Sequence, residues 1–178
     1  TKPALIFSWE MFGPYHMGRL EAVGRRLGQH YDVVGLEVGS KSHTYAWDST
    51  GSGRNFRKVT LFPGRSKADI PSFQVYRAMV RECRKAKASH VFLCHYEDPD
   101  VFALAVTMRL LGRKVVNMNA SKFDDKPRVL WREALKSLLY KPYQAAIGGS
   151  HRTVDYYRFL GLPKDRLFIG YDTLSLER

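Results

Sequence analysis

Short apolar runs alternate along this chain with stretches whose apolar residues recur at helical spacing, and that alternation limits the possible folds more than any other feature of the sequence. The runs fall at residues 4–8 (ALIFS), 31–38 (YDVVGLEV), 56–62, 90–95 (HVFLCH), 114–118 (KVVNM), 145–149 and 166–171 (RLFIGY). They are continuous rather than alternating, which predicts strands buried in a parallel sheet. A helical pattern over 16–29 carries Met17, Leu20, Ala22, Val23 and Leu27 ahead of Gly28. A second opens at Pro71 and runs to about residue 88, with Phe73, Tyr76, Met79, Val80 and Cys83 on one face. A third starts behind Asp98-Pro99 and ends near Gly112, and a fourth covers 127–140. The fifth covers 151–160, capped by Ser150 and closed by Gly161-Leu162-Pro163. Residues 39–55, rich in Gly, Ser and Thr, read as an exposed loop.

Strands and helices in this order, joined by right-handed crossovers, predict a single Rossmann-like α/β domain over residues 1–178. Its sheet would be doubly wound and mainly parallel, of about seven strands, with helices on both faces. No internal repeat, low-complexity tract or linker interrupts the pattern. At 178 residues the chain buries roughly 70% of its unfolded surface, enough for a core without staples. Lys plus Arg number 29 and Asp plus Glu 17, so the formal charge is 29 − 17 = +12. That excess suits an anionic substrate, a polyanion or an anionic membrane surface. The two cysteines, Cys83 and Cys94, sit in no CxxC and no zinc-spaced cluster, and read as buried thiols of a reducing compartment rather than a disulfide. No run has the length of a signal-peptide core or a membrane span, so the expected location is cytoplasmic, with peripheral attachment to the inner face of a membrane as a second option.

Ligands of such sheets sit beyond the carboxyl ends of the strands, so the residues after each strand are the candidates. The first strand is followed by Gly13, Pro14 and His16, with Arg19 in the first turns of the helix. A glycine at a strand-to-helix turn lets backbone N–H groups approach a phosphate, although a plain turn explains it as well. After the fourth strand come His95 and Glu97, able to do acid–base work or to bind sugar hydroxyls, or simply to be solvated, while capping accounts for Asp98. After the fifth come Asn119, Ser121, Asp125 and Arg128 in a loop dense with hydrogen-bonding groups. After the sixth comes Gly149.

Two helices carry basic residues at helical spacing: Arg128, Arg132 and Lys136 on one, and Arg77, Arg81 and Arg84 on the other. Such rows can lie against an anionic membrane, or form the solvated outer face of an α/β layer. Nucleic acid is disfavoured as a partner, since no helix-turn-helix, zinc finger or aromatic sheet motif is present. GxGxxG, GxxxxGK[ST], GxSxG and HExxH are also absent.

Taken in order, the segments resemble the N-terminal half of a GT-B glycosyltransferase of the family 4 kind. The clearest likeness is AAIGGSHRTVDYYRFLGLPKDRLFIGYDTLS at 145–175, similar to the segment by which such enzymes leave their first Rossmann-like domain. SKFDDKPRVLWREALKSLLYKPYQAAIGGS at 121–150 and the loop Phe12-Gly13-Pro14-Tyr15-His16 with Arg19-Leu20 add to it. The resemblance implies that this chain is the acceptor-binding half of an enzyme that transfers a sugar from a nucleotide-sugar to a glycan or lipid-linked acceptor. The donor-binding domain, supplied in cis or trans, would carry the basic diphosphate clamp and the Glu-x7-Glu motif of retaining members. No metal and no cofactor beyond the nucleotide-sugar donor is implied. In that family a His commonly follows the fifth strand; here Asn119 stands there, able to hydrogen-bond a hydroxyl but not to exchange a proton near neutral pH. Two other functions remain open. One is a sugar-nucleotide epimerase of the same architecture, and the other a non-catalytic carbohydrate or membrane-surface binding module.

Overall fold

The structure is a computed structural model that describes residues 2–43, 50–125 and 127–173. The middle of the expected 39–55 loop, Lys126 and the last two residues of the 145–175 segment lie outside the described residues. Among the described residues seven strands and five α-helices follow one another, alternating except between β2 and β3: β1 (Ala4–Trp9), α1 (Pro14–Leu27), β2 (Asp32–Lys41), β3 (Arg57–Ser66), α2 (Ser72–Lys85), β4 (Ala88–Leu93), α3 (Pro99–Leu110), β5 (Lys114–Asn119), α4 (Leu130–Tyr140), β6 (Ala145–Gly148), α5 (His151–Phe159) and β7 (Leu167–Ile169). Short 3₁₀ turns precede α2 and β7. The strands form one parallel sheet in the order β3-β2-β1-β4-β5-β6-β7, the Rossmann-like α/β architecture the alternation predicts. The chain divides within β4 into two compact units, 1–91 and 92–173.

In the first unit β1 is buried along its whole length and pairs in parallel with β2, Ala4 opposite Asp32. Ile6, Leu20, Leu36, Val75 and Met79 form the centre of its core. Gly24, inside α1, is there for packing: a Cβ would fall 2.1 Å from the Asn55 carbonyl oxygen, a backbone atom with no room to yield. A helix-interior glycine costs about 1 kcal/mol, offset here by the close approach of the loop. Edge strand β3 runs through Pro63 to Ser66, four residues past the expected end, and an edge is where a strand tolerates proline.

In the second unit Leu93, Leu104, Met108, Val115, Ala146 and Tyr157 make the core. Asn117 lies buried among them in β5; its side-chain oxygen accepts from the Tyr157 hydroxyl at 2.8 Å and its amide donates to the Leu93 carbonyl at 3.3 Å. Ser150 caps α5 as expected, its Oγ accepting from Thr153 N at 3.3 Å. Of the boundaries that differ from expectation, two have a visible cause. β4 ends at Leu93 rather than at His95, because His95 turns into the left-handed region at φ 54°. α4 begins at Leu130 rather than at Pro127, because Val129 is extended and the Arg128 side chain folds back onto the preceding loop.

Candidate functional site

Beyond the carboxyl ends of β4 and β5, within the second unit, a cleft of about 580 Å³ opens to solvent. His95, Tyr96 and Glu97 line it from the turn after β4, which closes through a hydrogen bond from Asp98 N to the His95 carbonyl at 3.0 Å. Asn119, Ser121, Asp125 and Arg128 line it from the segment after β5, Lys136 from α4, Tyr156 from α5 and Tyr171 from the loop after β7. Six residues that the strand-end argument singles out therefore share one cleft: His95, Glu97, Asn119, Ser121, Asp125 and Arg128.

The wall after β5 is held by its own side chains. Asn119 Oδ1 accepts from Ser121 N at 3.0 Å and from Ser121 Oγ at 3.1 Å, closing an Asx turn. Asp125 accepts from Lys122 N at 2.7 Å, and that bond, with the Lys122 charge beside it, holds its carboxyl below the ordinary carboxylate range. Gly149 sits behind this loop and does not line the cleft. Its N–H donates to the Asn119 carbonyl at 3.2 Å, and a Cβ there would fall 2.3 Å from an Asp172 carboxylate oxygen. The loops after β5, β6 and β7 thus converge at Gly149, where an added Cβ would make the Asp172 side chain move.

A charged cluster forms the back of the cleft. Tyr156 donates its hydroxyl to Glu133 Oε2 at 2.6 Å and accepts from Arg128 at 3.1 Å and from Lys136 Nζ at 3.0 Å, so the oxygen is fully used. Lys136 Nζ lies 2.9 Å from Glu133 Oε1, and Arg128 lies 3.4 Å from the same oxygen. Arg128 also donates to the carbonyls of Lys122 and Phe123, and its guanidinium lies over the Tyr156 ring at 4.5 Å. Burial alone would raise the Glu133 carboxyl. The hydrogen bonds from Lys136 and Tyr156, with the Lys136 and Arg128 charges, outweigh it and set that carboxyl below its ordinary value. The Tyr156 hydroxyl is pushed up, first by burial and then by Glu133. Burial pushes Tyr96 up to about 12 against the opposing charge of Lys136. Beside the phenols of Tyr96 and Tyr156, the cleft presents an amide, hydroxyls, an imidazole, carboxyl groups and two basic side chains, groups able to hydrogen-bond a polyhydroxylated ligand.

Sequence reasoning did not find Tyr96, Glu133, Tyr156 or Tyr171. The one carboxylate inside an otherwise basic and apolar α4 is the signal that could have pointed to Glu133. Among the described residues no group of three or more His, Cys, Asp or Glu is placed to hold a metal ion. Cys83 and Cys94 are buried thiols not joined in a disulfide, and burial pushes Cys83 up to about 12.

The loop after β1 belongs to the first unit. Gly13 is the N-cap of α1 and Pro14 its first residue, as the sequence suggests. The Gly13 N–H donates to His16 Nδ1 at 2.9 Å, and the Phe12 N–H to Glu37 Oε2 at 2.8 Å. These two N–H groups, the ones a phosphate would seek, are engaged by side chains. Glu37 is fully buried and also takes Thr60 Oγ1 at 2.7 Å and Lys58 Nζ at 3.0 Å. His16 stacks on Trp9 with ring centroids 4.6 Å apart, and Arg19 is half-buried on α1.

The two basic rows end up differently. Arg77, Arg81 and Arg84 are exposed along α2. Arg128, Arg132 and Lys136 do not form one outward row: Arg128 lies before α4, Lys136 points to Glu133, and Arg132 alone is fully exposed.

The same Rossmann-like fold is found in solved structures, among them proteins named for UDP or UDP-sugars. Anabaena HepE in complex with UDP superposes with a TM-score of 0.58 at 8% identity, over 98% of this chain and 45% of HepE. UDP-N-acetylglucosamine 2-epimerase from Rickettsia bellii superposes with a TM-score of 0.58 at 14% identity, over 94% of this chain and 44% of the epimerase. Sucrose-phosphate synthase from Thermosynechococcus elongatus gives 0.58 at 12% identity, over 94% of this chain and 87% of the solved fragment. The chain thus spans under half the length of HepE and of the epimerase. No family model and no curated protein matches the sequence.

Proposed function

We propose that this chain is the acceptor-binding half of a nucleotide-sugar-dependent glycosyltransferase. The observation that carries the reading is the cleft at the carboxyl ends of β4 and β5, lined by hydroxyl-binding groups, in a fold that HepE displays with UDP and with UDP-glucose. Asn119, Ser121, Asp125 and His95 would hold hydroxyls of a glycan or lipid-linked acceptor, with Arg128 and Lys136 behind them for an anionic group. Gly13, Pro14, His16 and Arg19 would face the donor side. A donor-binding half, in cis or trans, would bind the nucleotide-sugar, with no metal and no further cofactor. Placement in family 4 rests on the likeness of 145–175. The exposed cations of α2 support an anionic surface as a further partner and a peripheral location on the inner face of a membrane. The epimerase neighbours support a second reading, a sugar-nucleotide epimerase.

The test is to express the polypeptide of the complete reading frame and follow UDP-glucose and UDP-N-acetylglucosamine by mass spectrometry, with and without a glycan acceptor panel. UDP release that depends on acceptor is expected. An Asn119→Ala/Ser121→Ala variant should raise acceptor KM roughly tenfold, two lost hydrogen bonds, with donor KM unchanged. Epimerisation at C2 without acceptor would establish the second reading instead, and glycan binding with no turnover a binding module.

A further inference from the structure

Helix α4 is turned against the usual rule for a surface helix. Its buried residues are Glu133 and Tyr140, with Lys136, Ser137 and Leu139 half-buried, and Glu133 is neutralised by Arg128 and Lys136. Apart from Arg132, its outward residues are apolar: Leu130 is 85% exposed and Trp131 64%, with Leu135 and Leu138 half exposed. Trp131, Leu135 and Leu138 stand at i, i+4 and i+7, one continuous stripe, and Leu130 and Ala134 flank it. A contiguous apolar ridge of this kind, exposed along one helix, marks an interaction site.

We infer that this ridge docks into the headgroup region of an anionic lipid bilayer. Charge selects that occupant. The only carboxylate on α4 is the buried Glu133, whereas Arg132 projects into solvent over the Trp131 ring at 5.2 Å and Lys141 is exposed at the C-cap. Among the described residues neither cation is paired with a carboxylate. A Trp and leucines bordered by unpaired cations match an interface that is apolar below and anionic at its surface. Self-association through the ridge would instead bring the same cations of two copies together, because a two-fold contact repeats each residue across the axis. The helix is about 16 Å long, too short to span and suited to lying in the surface. Among the described residues no helix is long and apolar enough to cross a membrane. Lys136, on the same helix, lines the cleft, so docking would set the cleft beside lipid headgroups.

The inference does not depend on the transferase reading: vesicle binding by this chain, together with no turnover by the polypeptide of the complete reading frame, would sink that reading and leave this one standing. The experiment is flotation of the 178-residue chain with vesicles of phosphatidylcholine alone and of phosphatidylcholine with equal phosphatidylglycerol. Binding to the anionic vesicles, weakened by salt, is expected, with brominated lipid quenching tryptophan emission. Trp131→Phe should reduce the quenching while binding persists. Leu135→Ser/Leu138→Ser should reduce partitioning at least roughly 30-fold, the loss of two buried leucines. Arg132→Gln should reduce it about fivefold. These residues are exposed, so the circular dichroism spectrum serves as a check that each variant is folded. Equal binding by the Leu135→Ser/Leu138→Ser variant, no binding by the wild type, or a dimer in sedimentation that this variant dissolves would each overturn the inference.

Discussion

Helices α2 and α4 carry the same sequence signature, basic residues three and four apart with leucines, aromatics or methionine between them, and the fold treats them in opposite ways. In α2 the residues that pack inward are Val75, Ala78, Met79 and Cys83, all apolar, so Arg77, Arg81 and Arg84 have no inward partner and stay in water. Their contacts are light: Arg77 lies 5.6 Å from the Phe73 ring, and Arg81 and Lys85 approach Glu82 at 3.6 and 3.9 Å. In α4 the inward position is taken by a carboxylate. A buried Glu133 demands counter-charge, and Arg128 and Lys136 are drawn to it, which leaves Leu130, Trp131, Leu135 and Leu138 outside. The lesson is that a basic stripe does not say which way it faces; the group opposite decides.

The largest effect expected from breaking this difference comes from removing the carboxylate. Glu133→Ala leaves Arg128 and Lys136 without their counter-charge and Tyr156 without its acceptor, in a site where Glu133 is only 4% exposed. Breaking a buried pair of this kind costs about 3 kcal/mol. Urea unfolding should read that loss as a lowered midpoint. A change under about 0.5 kcal/mol, the size expected at a plain surface position, would mean that α4 is held by its leucines after all.

How much of this could be read in advance follows from the same contrast. The order of strands and helices was legible because each element is patterned on its own, through apolar runs, Pro99 at the start of α3 and Ser150 ahead of α5. The cleft residues after β4 and β5 were legible because sheet topology alone puts strand ends at the ligand side. The cluster of Glu133 with Tyr156 was not, because it joins α4 to α5 and no period within either helix records it. Arg128 was assigned to a helix for a related reason. Pro127 is a good first residue for one, but the carbonyls of Lys122 and Phe123 hold the Arg128 side chain and keep the segment extended until Leu130. The first loop shows the limit of reading a glycine as a phosphate cradle, since the Gly13 N–H is already given to His16.

A smaller effect, with a definite sign, should appear on acidification. The Glu133 carboxyl in the folded protein lies below its ordinary value of 4.5. A depressed carboxylate contributes stability that is fully present above its unfolded pKa and lost as pH falls through the folded one. The stability difference between the wild type and Glu133→Gln should therefore be flat above about pH 4.5 and shrink below it. Asp125, also depressed, is common to both proteins and cancels. Urea midpoints measured from pH 7 to pH 3 check this, and a difference that widens on acidification would mean that the cluster does not hold Glu133 as an anion.

The smallest effect belongs to α2 and completes the comparison. Arg77, Arg81 and Arg84 are exposed, and the Arg81 contact to Glu82 is 3.6 Å from a side chain 73% exposed itself. Exposed ion pairs of this kind contribute about 0–1 kcal/mol, because water already solvates both partners and holding long side chains in place costs entropy. Replacing all three by Gln keeps good helix formers at those positions and removes three like charges from one face. The relief of repulsion offsets the lost Glu82 contact, so the net change in stability should stay within about 0.5 kcal/mol at any salt concentration. The same substitution at Lys136 alone should exceed it, since that cation is 2.9 Å from a buried carboxylate. Urea unfolding at low and high salt distinguishes the two. A triple α2 variant that unfolds as readily as Lys136→Gln would show that the two rows are equivalent and that facing in or out makes no energetic difference.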